Sequence, residues 1–195
     1  MTIAKIEVWN FRPLMRDGPY AMSHVIQDSA YGRLYRVTLD NGARGSGEVV
    51  FPPFLAQAEQ MGKIAEERAF LALLIGQPLD ALLDLAEDLR ARGKAWGGVA
   101  FGLETAWHDL TAWQKACPLS DLLGGAITPA VPDYFSISER TPERIRERVA
   151  VAGAGRTVFQ LKLGVGSLRE DVEHVSALLS ALSPNQIVLA DANGG

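Results

Sequence analysis

Apolar positions follow a strand-like alternation near both ends of the chain and a helical period between them. Ile3, Ile6 and Val8 open one strand, and residues 34–39 and 45–50 flank Asp40-Asn41-Gly42. An Asn-Gly pair tolerates the positive φ of a type I′ turn, so these two segments predict a hairpin. Residues 14–29 are polar, contain Gly and Pro, and show no period; they predict a long loop, which in a compact domain is usually functional or disordered. From Pro53 to Cys117 the pattern predicts helices over 54–75, 79–91 and 99–116, the last carrying Leu103, Ala106, Trp107, Leu110 and Trp113 at spacings of three and four. Three helices on a small antiparallel sheet make an α+β unit over residues 1–125, and 126–130 read as a linker to a second domain, 126–195.

That second part alternates strand and helix. In the strand predicted over 131–138, Tyr134, Ser136 and Ser138 share one face, with Phe135 and Ile137 on the other. Thr141 caps a helix with Pro142 in its first turn. In the strand over 157–164, Thr157, Phe159, Leu161 and Leu163 share a face, leaving Gln160 and Lys162 on its opposite. Ser167-Leu-Arg-Glu170 is a capping box for a helix whose Val172, Val175, Leu178, Leu179 and Leu182 predict an inward stripe. A third strand, 186–191, closes on Asp191. A strand, a crossover helix and a parallel strand form a right-handed unit, so Lys162 and Asp191 should emerge at one C-terminal sheet edge, where α/β barrels keep their active sites. Alone, the lysine reads as a solvated edge charge and the aspartate as a turn former. Their coincidence on consecutive parallel strands points to chemistry. Three strands cannot close a barrel of roughly 250 residues, so the chain is expected to be the N-terminal portion of a larger protein, or a remnant completed by another chain.

Composition narrows the partners. The 195 residues are 48% hydrophobic and 22% charged, as in a globular protein. A net charge of -4, without a Lys/Arg cluster, argues against nucleic acid. No segment approaches the roughly 20 apolar residues of a membrane span. Cys117 is the only cysteine, which excludes a disulfide framework and suits a reducing cytoplasm. Gly164-Val-Gly166 has Arg169 where a dinucleotide fingerprint wants its third glycine, and Asp191-Ala-Asn-Gly194 lacks the carboxylate that would finish a calcium loop. His24, His108 and His174 have no metal-ligand spacing and read as core or surface residues.

Two longer stretches carry a resemblance: Gly45-Ser-Gly-Glu48 at the hairpin's end, and Ala100-Phe-Gly-Leu-Glu-Thr-Ala-Trp-His-Asp109-Leu110 leading to Pro118-Leu-Ser-Asp-Leu-Leu-Gly-Gly125. Over almost its whole length the chain resembles the enolase superfamily in its mandelate racemase and muconate lactonizing enzyme branch. The resemblance implies an α+β capping domain followed by the first βα units of a TIM barrel. It also implies roles by position. The family's Lys-x-Lys on the second barrel strand is matched by Gln160-Leu-Lys162, which makes Lys162 the catalytic base and puts Gln160 in place of the first lysine. The family's Asp-x-Asn on the third strand is matched by Asp191-Ala-Asn193, which makes Asp191 a Mg²⁺ ligand with Asn193 behind it. A hard carboxylate oxygen suits that ion. The implied reaction is abstraction of a proton α to the carboxylate of a small substrate, leading to racemisation, epimerisation, dehydration or cycloisomerisation.

Residues 14–24 and 49–54 lie where the family's cap covers the barrel mouth, so Tyr20 and Phe51 are candidate substrate contacts, with packing of the cap as the alternative. Ser136 is a third candidate from its polar face. Arg16-Asp-Gly-Pro-Tyr20 resembles members that act on proline-betaine-like substrates. A homo-oligomer is expected of the complete protein. Two rival readings are a catalytically dead fragment serving as a binding or oligomerisation module, and a different α/β fold in which Asp191 binds a phosphate-linked metal.

Overall fold

In a computed structural model, residues 1–16, 18–21, 26–51, 63–153 and 155–192 are described. They form two compact units: Met1–Leu14 with Ser29–Ile127, and Met15–Asp28 with Thr128–Gly195. The predicted positions 54–62, His24 and Asn193 lie outside the described residues.

In the first unit, strands β1 (Ile3–Phe11), β4 (Gly32–Leu39) and β5 (Arg44–Val50) pair antiparallel in the order β1-β4-β5. Helices α1 (Ile64–Leu73), α2 (Ala81–Ala91), α3 (Gly97–Lys115) and the short α4 (Leu119–Leu122) follow. The period of two on β4 buries Tyr35, Val37 and Leu39 against Leu82, Leu103, Ala106 and Leu110. On β5 two of the three inward positions, 45 and 47, are glycines for a steric reason, and the third is Val49. A Cβ on Gly47 would lie 1.8 Å from the Gly102 carbonyl oxygen, and one on Gly45 would lie 2.5 Å from Leu110 Cγ. The backbone of β5 therefore rests directly on α3, which answers with its own small residues, Gly102 and Ala106.

The structure corrects three details of the predicted elements. The hairpin turn is not type I′. Leu39 N–H donates to the Ala43 carbonyl at 2.9 Å and Gly42 N–H to the Leu39 carbonyl at 2.9 Å, so Asp40, Asn41 and Gly42 form a three-residue loop. Only Gly42, at φ 83°, needs the left-handed region there. The α3 stripe ends before Trp113, which is exposed although its spacing continues that of Val99, Leu103, Ala106 and Leu110. The long loop of residues 14–29 also contains a small ladder, β2 (Tyr20–Ala21) antiparallel to β3 (Ile26–Gln27), in the second unit.

A polar cluster sits inside the first unit. Buried Arg33 pairs with buried Glu67, the Tyr35 hydroxyl donates to Glu67 Oε1 at 2.9 Å, and Arg33 Nε donates to Asn10 Oδ1 at 3.2 Å. Burial pushes the Tyr35 phenol far above its usual range, against the pull of Arg33, so it stays a donor. The cluster ties α1 to the sheet, joining residues that lie far apart in sequence.

In the second unit, β6 (Tyr134–Ile137), β7 (Val158–Lys162) and β8 (Ile187–Asp191) form a parallel sheet in that order. Helices α5 (Pro142–Ala152) and α6 (Leu168–Ala181) connect them. Thr141 Oγ1 accepts from Arg144 N–H at the start of α5, and Ser167 and Glu170 form the reciprocal capping box on α6. Phe159, Leu161 and Ile137 pack on Ile145, Val149, Ala177 and Leu178. The inward stripe of α6 differs from the predicted one: His174, Ala177 and Leu178 are buried, whereas Val172 and Leu179 are exposed. His174 is tied down there, its Nε2 lying 3.1 Å from the Arg140 carbonyl. No helix of the described residues is long and apolar enough to cross a membrane.

Gly47→Ala should cost at least about 2–3 kcal/mol, as overpacking against backbone does. Gly42→Ala meets open space and should lose only the roughly 1–2 kcal/mol of a left-handed alanine. Chemical denaturation of both variants checks the ordering, and a Gly47→Ala no less stable than Gly42→Ala would refute the close approach.

Candidate active site

The helix-covered face of the parallel sheet takes Phe159 and Leu161, so period-2 alternation turns Gln160 and Lys162 to the opposite face. Parallel register then selects their neighbours. Ser136 lies opposite Gln160 on β6; on β8, Leu189 lies opposite Gln160 and Asp191 opposite Lys162. The C-terminal edge of the sheet thus carries a lysine and an aspartate side by side.

These side chains meet. Lys162 Nζ forms an ion pair with Asp191 Oδ2, and Gln160 Nε2 donates to the same oxygen at 2.7 Å. The Lys162 side chain is 8% exposed and that of Asp191 23%, so the ammonium sits in a poorly solvated setting where a nearby carboxylate counts for more than at a surface. Leu163 N–H donates to the Asp191 carbonyl at 2.9 Å, holding the two strand ends together, and Gly164 N–H donates to Asp171 Oδ2 at 3.0 Å, tying the loop after β7 to α6. Asp171 was not singled out from the sequence. The available signal was an acidic residue in the first turn of α6, close after the strand that delivers Lys162.

Asp191 offers one hard carboxylate oxygen of the kind Mg²⁺ accepts, so the donor chemistry fits a single ligand position. Among the described residues no group of three or more His, Cys, Asp or Glu could hold a metal ion. The other candidates have different settings. Ser136 lines a pocket of about 300 Å³ with Met15, Arg16, Pro19, Ser138 and Glu139 of the same unit. Tyr20 pairs with Gln27 through the backbone. Phe51 is buried in the first unit, stacked on Tyr31 with centroids 5.8 Å apart and beneath the Arg33 guanidinium, which corresponds to the packing alternative.

Comparison with known proteins identifies the architecture. Residues 5–124 match the family description "Mandelate racemase / muconate lactonizing enzyme, N-terminal domain". The chain belongs to this family. It is therefore an enolase-superfamily polypeptide with an α+β capping domain and the start of a barrel, and the different α/β fold with a phosphate-linked metal is set aside. Cis-3-hydroxy-L-proline dehydratase of Roseibium aggregatum is 30% identical over 207 residues, covering 100% of this chain and 54% of that one. Muconate cycloisomerase 1 of Acinetobacter baylyi is 28% identical, covering 90% and 49%. Among solved structures, a protein of Roseovarius nubinhibens ISM described as a mandelate racemase/muconate lactonizing enzyme and complexed with magnesium superposes with a TM-score of 0.82 at 28% identity, covering 100% and 54%. The chain spans about half the length of the curated relatives it matches.

Because the Lys162–Asp191 pair is largely withdrawn from water, Asp191→Leu should cost about 2–3 kcal/mol by removing the ammonium's counter-charge. Lys162→Met should cost a similar amount, and the double variant should recover most of the loss. A denaturant-based double-mutant cycle measures this, and simple additivity would show that the two charges are not coupled.

Proposed function

We propose that the complete enzyme of this family removes a proton from the carbon α to a carboxylate of a small substrate, with Lys162 as the base and Asp191 as a ligand for Mg²⁺. The observation that carries this reading is the placement of Lys162 and Asp191 on one face at the C-terminal ends of adjacent parallel strands. Mg²⁺, when bound, would supply neutralisation of the charge that develops on the substrate carboxylate as the α-carbon loses its proton.

The chain's own residues account for the rest. Only an uncharged amine accepts a proton, so Lys162 must leave the ammonium form in which it pairs with Asp191. The hydrogen bond from Leu163 N–H to the Asp191 carbonyl keeps the strand ends that carry base and ligand side by side. Ser136, opposite Gln160 on the same face, is proposed to orient substrate beside the base.

The relatives support the same class: a dehydratase and a cycloisomerase are both named for reactions of small carboxylates, and one neighbour holds magnesium. The proline-type substrate of the first relative, together with the Arg16-Asp-Gly-Pro-Tyr20 loop, makes proline-like acids the first substrates to test. Assembly as a homo-oligomer and a cytoplasmic location, the latter supported by the lone Cys117, belong to the same proposal. The 195-residue chain by itself is proposed to be inactive, because one carboxylate rarely holds a strongly hydrated ion.

Lys162→Ala in the complete protein should slow α-proton exchange into deuterated solvent by about 10²- to 10⁴-fold, and Lys162→Arg should fail comparably because a guanidinium stays protonated. Exchange at the wild-type rate in the alanine variant would remove Lys162 from the mechanism. Asp191→Asn should weaken Mg²⁺ binding measured by calorimetry while the cap keeps its stability; unchanged affinity would remove Asp191 from the metal site.

A further inference from the structure

Asp191 Oδ2 accepts from two donors of different kind, the charged Lys162 Nζ and the neutral Gln160 Nε2. If Asp191 is a magnesium ligand, as proposed above, the two donors respond differently to a cation. An ammonium and a divalent cation repel each other at one carboxylate, so a bound cation would displace Lys162 from Oδ2. A carboxamide N–H carries no net charge. It can remain on the carboxylate while the cation binds.

We infer that Gln160 is a positioning residue: its amide holds the Asp191 carboxylate in a ligand-ready orientation as a divalent cation displaces Lys162. The geometry is specific to this side chain. Gln160 sits two residues before Lys162 on β7, on the same face, and lies opposite Leu189 in the register. Its amide therefore reaches diagonally along the sheet, past Leu189, to the residue paired with Lys162, a span that a shorter amide would not cover. Partners that orient a ligating carboxylate from behind contribute strongly to metal affinity although they never touch the ion.

The position also has a consequence for charge. A lysine at 160 would surround Asp191 with two ammonium groups, both in competition with an arriving cation. Gln160 adds no charge that has to move, and the charge at position 162 belongs to the proposed base. Cation binding and release of Lys162 from its ion pair are then coupled at one oxygen atom.

The test is Mg²⁺ titration calorimetry on the complete protein with Gln160→Met, which keeps the length and loses the N–H, and with Gln160→Asn, which keeps the amide but withdraws it. Each should bind Mg²⁺ about ten-fold more weakly, in line with the loss of a contact behind a metal ligand. In an Asp191→Ala background the same changes should alter affinity by less than about two-fold, because the partner of the amide is gone. Circular dichroism identifies any variant that is unfolded, and the other variant then decides. Wild-type affinity in the folded Gln160 variants, or an equal loss in both backgrounds, would overturn the positioning role. If Asp191→Ala alone leaves Mg²⁺ affinity unchanged, the assignment of Asp191 as a ligand fails, an outcome distinct from loss at Asp191 without loss at Gln160.

Discussion

The parallel register of β7 and β8 is the constraint on which the candidate site depends. Side chains two residues apart share a face and parallel partners lie in register, so the pairing of Lys162 with Asp191 is decided by backbone hydrogen bonds and the covered face, before any side-chain attraction acts. A slip of one residue would send Lys162 into the cluster of Ile145, Val149, Ala177 and Leu178 and bring Phe159 out to water. Burial of Phe159 and Leu161 under α5 and α6 thus enforces the register, and the ion pair is its product. The α6 capping box and the Gly164–Asp171 contact then fix the loop that leaves the Lys162 strand.

The first unit solves a different packing problem. There a strand and a helix meet at backbone distance, and glycine is the only residue on β5 that permits it at positions 45 and 47. The Gly-x-Gly-Glu stretch that carried the resemblance is accordingly a contact surface, and its conformational freedom is incidental. The buried Arg33–Glu67 pair, with Tyr35 and Asn10 as neutral partners, adds directional contacts to an otherwise apolar interior, and each polar group there has a counterpart that offsets its desolvation.

Much of this was legible in the sequence, and the failures have physical causes. The strand faces, the two helix caps and the Lys162–Asp191 placement follow from periods of two and from local hydrogen-bond chemistry, which are short-range properties. The turn type was misread because Asn-Gly suits both two- and three-residue loops, and the choice belongs to the pairing of Leu39 with Ala43 across the hairpin. The α6 stripe was misread because His174 and Ala177 score poorly for hydrophobicity yet face inward, whereas Val172 and Leu179 are apolar and face out. The contact of Gln160 with Asp191 spans 31 residues and depends on register, so the sequence could raise the absence of a lysine at 160 but could not say what the glutamine does instead.

The face that carries the pair is graded along the strands. Its first layer is apolar, with Tyr134, Val158 and Ile187 in register; the second mixes Ser136, Gln160 and Leu189; the third is the ion pair itself. The exclusion of water comes from the burial of the Lys162 side chain itself, which strengthens its attraction to Asp191 and raises the penalty for leaving either charge alone. A pair placed this way is stable while both partners are charged and easily unbalanced when one is neutralised or finds a stronger partner. If Lys162 is the base and Asp191 the metal ligand proposed above, their pairing makes protonation state and ligand occupancy at Asp191 mutually dependent, with Gln160 as the neutral contact of the same carboxylate.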